Sequence, residues 1–191
     1  LSALSAGGDG AAGRTEVAMR RVWVAGKDLP ICISPDGRSV VFAVFDSANL
    51  WLRDLQSGEQ RQITRDGSRV ESIGVIDGGW AAISPDGKWV AYSWTNKGRG
   101  EVRLSLLDGS SMRILQNGQN GRSLYVKGWM PDGRGILASS FTNLEYRPHI
   151  ISVQDGSVRD IGQPQPGSVN WGYPSPDGRH IAYSLKGDIF A

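Results

Sequence analysis

The chain has 191 residues, a formal net charge of +2, 39% hydrophobic and 21% charged residues, and 26 glycines. That balance excludes a fibrous or disordered chain and gives a turn-rich globular one. It also offers no electrostatic case for binding nucleic acid. No apolar run approaches the roughly 18 residues that a membrane-spanning helix needs.

Residues 1–14 are small, Gly-rich and aperiodic, and read as a flexible lead-in. The chain starts at Leu1 without Met, which suggests that an upstream piece has been removed. Its opening Leu-Ser-Ala-Leu-Ser-Ala has the composition of a signal-peptide remnant. That would place the protein in the periplasm or outside the cell, with the cytoplasm as the alternative. From Thr15 to Ala25, Val17, Met19, Val22, Trp23 and Val24 make a strand pattern that stands alone. Cys32 is the single cysteine, so an internal disulfide and a cysteine-cluster metal site are excluded. Between Ile31 and Ile33 it reads as a small buried hydrophobe.

One phrase then recurs four times: Ser34-Pro35-Asp36-Gly37-Arg38, Ser84-Pro85-Asp86-Gly87-Lys88, Met130-Pro131-Asp132-Gly133-Arg134 and Ser175-Pro176-Asp177-Gly178-Arg179. Proline presets φ for the second turn position, aspartate bonds its own backbone, and glycine takes the left-handed conformation that follows. Apolar, β-prone residues flank each copy, so each reads as a hairpin loop. The aspartates lie 50, 46 and 45 residues apart. After each turn come a strand (Val40–Phe45, Trp89–Trp94, Ile136–Phe141), a variable loop and a second strand (Asn49–Leu55, Glu101–Leu107, His149–Val153). A second Gly turn follows at Gly58, Gly109 and Gly156, and then a short last strand. With the strand that precedes each Pro-Asp-Gly, every unit has four strands, which is a propeller blade.

The fourth repeat supplies Val169–Tyr173, His180–Ser184 and the start of a third strand at Asp188–Phe190. The reading is therefore an all-β propeller domain over 15–191, about four blades' worth of strands and part of a larger propeller. The lone strand at Thr15–Ala25 is the candidate for the missing outer strand of the last blade.

The Pro-Asp-Gly-Arg turn with Val90-Ala91-Tyr92-Ser93 or Ile181-Ala182-Tyr183-Ser184 after it resembles the WD-like β-propeller repeat of TolB-type proteins. Asn49-Leu50-Trp51-Leu52-Arg53-Asp54-Leu55 with Gly58 and Arg61-Gln62-Ile63-Thr64 resembles the second half of such a repeat. The third copy departs from it at Met130. The resemblance implies architecture. Such blades occur in periplasmic translocation components, in the gating propeller of prolyl-oligopeptidase-like enzymes and beside unrelated domains, so it does not choose a function.

The chemistry points the same way. No Gly-x-Ser-x-Gly nucleophile elbow occurs, and only His149 and His180 could serve as bases. Propeller lyases that resemble this repeat family use several histidines around a metal, which two cannot supply. No His/Asp/Glu group has metal-ligand spacing, and the glycines sit in hairpin turns rather than phosphate loops, so no metal or cofactor is expected. The leading expectation is a non-catalytic scaffold for a protein, peptide or glycan partner. The alternative is the accessory propeller of a hydrolase whose catalytic domain lies outside this chain. The Pro-Asp-Gly and second Gly turns emerge on one face, and the variable connections on the other. Trp94, Lys97, Arg99, Tyr146 and Arg147 on that second face are the candidate partner contacts, because aromatic and arginine side chains dominate interface hot spots.

Overall fold

Each Pro-Asp-Gly phrase closes a hairpin by the same hydrogen bonds. Gly37 N donates to Ser34 O at 2.9 Å, which makes Pro35 and Asp36 the central turn residues, and Gly37 follows with φ 71°. Gly87, Gly133 and Gly178 take φ of 69°, 70° and 69°. The left-handed glycine expected at all four turns is therefore present. Side chains lock the turn further. Ser34 Oγ donates to Asp36 Oδ1 (2.5 Å) and accepts from Ser39 N (2.9 Å), while Asp36 Oδ1 also accepts from Arg38 N (3.0 Å). The set recurs at Ser84 with Asp86 and at Ser175 with Asp177. Met130 has no hydroxyl to contribute, and Asp132 is bonded by Arg134 N alone (2.9 Å) among the described residues.

The computed structural model describes residues 21, 23, 26, 28–44, 46–67, 81–96, 99–118, 123–142, 145–162, 165–166, 169–185 and 188–190. These form four antiparallel meanders. The first comprises β1 (Leu29–Ile33), β2 (Ser39–Val44), β3 (Asn49–Asp54) and β4 (Gln60–Gln62). The second comprises β5 (Ala81–Ile83), β6 (Trp89–Asn96), β7 (Arg99–Leu106) and β8 (Met112–Gln116). The third holds β9 (Leu124–Trp129), β10 (Gly135–Thr142), β11 (Glu145–Ser152) and β12 (Val158–Asp160), and the short β13 (Gln165–Pro166) also pairs with β11. The fourth holds β14 (Val169–Pro174), β15 (Ile181–Leu185) and β16 (Asp188–Phe190). Apart from β13, consecutive strands within each blade are neighbours, and the innermost strands β1, β5, β9 and β14 pack on one another in that order. This is the all-β propeller architecture of four-stranded blades.

Alternation along the strands stacks the blades. In β6, Val90, Tyr92 and Trp94 join Val41, Ala43, Leu50 and Leu52 of the first blade in one buried cluster. Ala91 points the other way and joins Val126, Ile136, Ala138 and Ile151 of the third blade in a second. Cys32 packs against the first cluster, and burial pushes its thiol up to about 12, as a small hydrophobe requires.

Two expected loops are largely strand. β6 and β7 pair out to Asn96↔Arg99, and β10 and β11 out to Thr142↔Glu145. Strand pairing thus takes up all but residues 97–98 and 143–144 of the expected variable connections Thr95–Gly100 and Thr142–Arg147. Polar residues such as Thr95 and Asn96 carry no apolar alternation, yet their backbones complete the ladder. β11 begins four residues before the expected His149 because Pro148 does not break it. Pro148 O accepts from Ile161 N just past β12, so its nitrogen also faces that outer side, beyond the end of β12, and the ladder to β10 is untouched. β13 falls in another expected loop. The expected strand at Thr15–Ala25 lies almost wholly outside the described residues, and with it the closure of the last blade. Trp23, which is described, packs on the first blade, 4.9 Å from the Phe42 ring and within 5.3 Å of the Arg53 guanidinium.

The second turn of each complete blade is pinned by an aspartate. Asp54, Asp108 and Asp155 accept backbone and hydroxyl hydrogen bonds from Ser57, Ser110 and Ser157 respectively. Leu55 N, Leu107 N and Val153 N donate to the carbonyls of Arg38, Lys88 and Arg134, which ties both turns of a blade together on one face. Gly156 also meets the neighbouring blade: a Cβ there would stand 2.3 Å from Leu115 O, whereas one at Gly87 would meet open space. Gly87→Val should therefore cost about 1–2 kcal/mol from backbone strain alone. Gly156→Ala should cost about 1–3 kcal/mol more than Gly87→Ala, since it adds overpacking to the same strain. Urea unfolding of the variants checks the order.

Hydrogen bonds from Ser157, first from its backbone N–H, hold the Asp155 carboxyl down at about 2, below its ordinary 3.8. A lowered folded-state value means that the stabilisation is fully present above the unfolded value and is lost as pH falls through the folded one. The melting temperature should drop between about pH 4 and pH 2, and Asp155→Asn should flatten part of that drop.

Candidate functional site

The five expected partner contacts do not form one cluster. Trp94 ends up inside the protein, 1% exposed, because it alternates in phase with Val90 and Tyr92 and so faces the first blade. Its ring lies edge-on to Tyr92, 6.1 Å away, and under the Arg103 guanidinium at 4.6 Å. Arg103, itself buried, is held by Glu101 (2.6 Å) and Asp66 (2.5 Å). Two carboxylates around one buried guanidinium compensate for its desolvation and fix its plane over the indole. Trp94 is thus a core residue, and the expectation that it meets a partner is corrected. Lys97 and the Arg99 side chain lie outside the described residues. Tyr146 and Arg147 are half-buried neighbours on β11 that alternate to opposite faces of the third blade.

Tyr146 leads to a cavity beside the expected site. A cavity of about 230 Å³ lies between the third and fourth blades, with Leu137, Pro148, Ile161 and Ile181 among its apolar walls. Its polar lining is Lys127, Ser139, Tyr146 and Tyr183. Lys127 is the extra residue of a β-bulge in β9, between partners Val126↔Ala138 and Gly128↔Leu137. A bulge re-aims a side chain, and here an amine enters an apolar wall. Burial pushes that amine down to about 8. Ser139 Oγ is buried with no hydrogen-bond partner. Nothing in the local sequence signals these features. Ile31 and Ala81 hold the position of Lys127 in the first two repeats, so only alignment of the repeats exposes the lysine.

On the other face of the third blade, Ser140 Oγ lies 2.8 Å from His149 Nε2, and His149 Nδ1 lies 2.9 Å from Asp160 Oδ1. The order is that of a serine-hydrolase triad. The surroundings are not: Ser140 is 1% exposed and His149 0%, sealed against the second blade, so no acyl donor reaches the hydroxyl. In the tautomer with its proton on Nδ1, His149 donates to Asp160 and Ser140 donates to Nε2. The chain ties β10, β11 and β12 together. Among the described residues no group of three or more potential ligands could hold a metal. His149→Ala should cost about 2–4 kcal/mol, through the cavity and the orphaned Ser140 hydroxyl, and Ser140→Ala about 1 kcal/mol. Denaturant unfolding measures both, and a Ser140→Ala loss larger than that of His149→Ala would contradict this structural role.

Known proteins are consistent with this architecture. Residues 9–97 match the family model for the dipeptidyl peptidase IV N-terminal region. An uncharacterized protein of Agrobacterium fabrum is 25% identical over 168 residues, covering 78% of this chain and 52% of that protein. TolB from Acinetobacter baumannii superposes with a TM-score of 0.64 at 20% identity, over 84% of this chain and 39% of TolB. A chain of the nidogen/laminin complex superposes with a TM-score of 0.62 at 15% identity, over 83% of this chain and 57% of that one. The chain thus spans about half, or less, of the length of these relatives. In fold, this chain is a TolB-like β-propeller built from Pro-Asp-Gly repeats.

Proposed function

We propose that this propeller is a non-catalytic scaffold that binds a protein or peptide partner, or a glycan, through its variable-loop face. The observation that carries this reading is the division of labour between the two faces. One is occupied by short turns bonded to each other, Leu55 to Arg38, Leu107 to Lys88 and Val153 to Arg134. The other is reached by the strand pairs that run out to Asn96↔Arg99 and Thr142↔Glu145, and the connections between blades differ in length. Variable loops on a rigid frame are where recognition concentrates. The neighbour from the nidogen/laminin complex, a propeller chain in a protein assembly, supports a protein partner. A periplasmic or secreted setting goes with this reading.

The match to the dipeptidyl peptidase IV N-terminal region favours a second reading, an accessory propeller beside a hydrolase domain. A Gly-x-Ser-x-Gly elbow with downstream Asp and His elsewhere in a longer form of the protein would select it.

The test is an alanine scan of Lys97, Arg99, Tyr146 and Arg147 against Arg38, Lys88, Gln56 and Arg134 on the short-turn face, using a partner captured by cross-linking. Loss of about tenfold or more in affinity from at least one of the first set, with the second set within about twofold, is the expected outcome. Equal losses from both sets, or loss only from the second, would show the wrong face.

A further inference from the structure

We propose that the cavity between the Pro-Asp-Gly turns of the second and third blades is a binding site for a small organic cation that carries a methylated ammonium group. It has a volume of about 270 Å³ and lies on the short-turn face. A comparison within the repeats shows why there is space. Where the third and fourth turns adjoin, a Cβ on Gly178 would touch Pro131 Cδ at 3.5 Å, so those turns rest on each other. Between the second and third, a Cβ on Gly133 would meet nothing within 4 Å, and Gly133 borders the cavity instead. Trp89 and Trp129 line it, three residues after one turn aspartate and three before the next. At those positions the seam before carries Ser39 and Ile83, and the seam after Gly135 and Pro174. Of the three seams, only this one has two indoles there.

Tryptophan is the aromatic side chain that holds a cation best. Asp86 and Asp132 add carboxylates, and no Lys, Arg or His is among the described residues that line the cavity. Lys88 offsets part of the Asp86 charge. Asp132 differs, because Met130 denies it the serine hydroxyl of the other turns. Among the described residues it accepts one hydrogen bond, from the neutral Arg134 N–H to Oδ1, so it is the main counter-ion of the site. The remaining walls narrow the ligand class. Pro85 and Pro131 carry no N–H, the Trp129 N–H is donated to Ala82 O at 2.8 Å, and the Ser84 hydroxyl to Asp86 at 2.5 Å. These groups have no donor to spare for an anion or a sugar. A divalent metal needs a shell of oxygens that two aspartates on separate turns do not complete. A methylated ammonium has no such demand: its methyl groups meet indole and proline carbon while Asp132 balances its charge. This site lies on the face away from the partner-binding one proposed above and is independent of it.

Choline is the probe, titrated into the full chain by calorimetry or ligand-observed NMR beside dimethylbutanol, its uncharged carbon isostere. Saturable binding of choline, at least about fivefold tighter than that of the isostere, is expected from the indoles and the carboxylate together. Asp132→Asn keeps an oxygen for the Arg134 N–H and removes the charge. It should weaken choline about fivefold or more and leave the isostere little changed. Trp89→Leu keeps an apolar side chain without the indole and should weaken choline about threefold or more. Asp36→Asn makes the same change in the first turn, away from the cavity, and should leave choline within about twofold. Trimethylammonium is met free in solution or as a lipid head group. Co-sedimentation with phosphatidylcholine vesicles but not phosphatidylglycerol vesicles would assign the head group, and choline binding without it the free solute. Should Trp89→Leu fail to fold, the isostere comparison and Asp132→Asn carry the test. No saturable binding of choline, equal binding of the isostere, or wild-type affinity in Asp132→Asn would overturn the proposal.

Discussion

The fold depends on the Pro-Asp-Gly turn, which in three of its four copies is locked by a hydrogen bond from a serine hydroxyl to the aspartate two residues on. In Ser34-Pro35-Asp36-Gly37 that bond, with the return bond from Ser39 N to the same hydroxyl, leaves the hairpin one register. Register decides everything downstream, because a slip of one residue would send Val41 and Ala43 away from the second blade and bring Phe42 toward it. Proline and glycine act in the unfolded chain as well, by narrowing what the turn can otherwise do. The third copy, with Met130, keeps the backbone turn without the hydroxyl, so the serine reinforces a geometry that Pro-Asp-Gly already specifies.

The same economy of groups separates structure from recognition. Most of the buried polar side chains in the second and third blades have a fixed partner: Arg103 with its two carboxylates, Tyr92 with Ser105, His149 with Ser140 and Asp160, Trp129 Nε1 with the Ala82 carbonyl. Satisfied networks of this kind specify a single packing. Trp94 Nε1 and Ser139 Oγ have no such partner, and Ser139 lies where the blade-to-blade packing opens.

Much of this architecture is legible in the sequence because Pro, Asp and Gly each constrain the backbone locally and recur in step with apolar alternation. What escapes is of several kinds. Thr95 and Asn96 extend a hairpin by backbone bonds alone, which leave no apolar trace. Pro148 looks like a strand breaker until the neighbouring strand is known to end beside it. Lys127 enters a cavity because of a bulge, and a bulge is a property of two strands together. Trp94 is the opposite case: its alternation with Val90 and Tyr92 marks it as core in the sequence itself. The Ser140–His149–Asp160 chain joins residues from three strands whose pairing no single segment encodes.

The two apolar clusters have a consequence for how the molecule comes apart. Among the described residues, the cluster between the first and second blades shares no member with the one between the second and third. Only the second blade belongs to both, through opposite faces of the same strands. Such a stack behaves as a row of nearest-neighbour couplings rather than one indivisible core. Damage at one seam is felt by the two blades that flank it and is attenuated beyond them. Amide exchange should then be slow in the second blade, which has a buried apolar cluster on each of its faces.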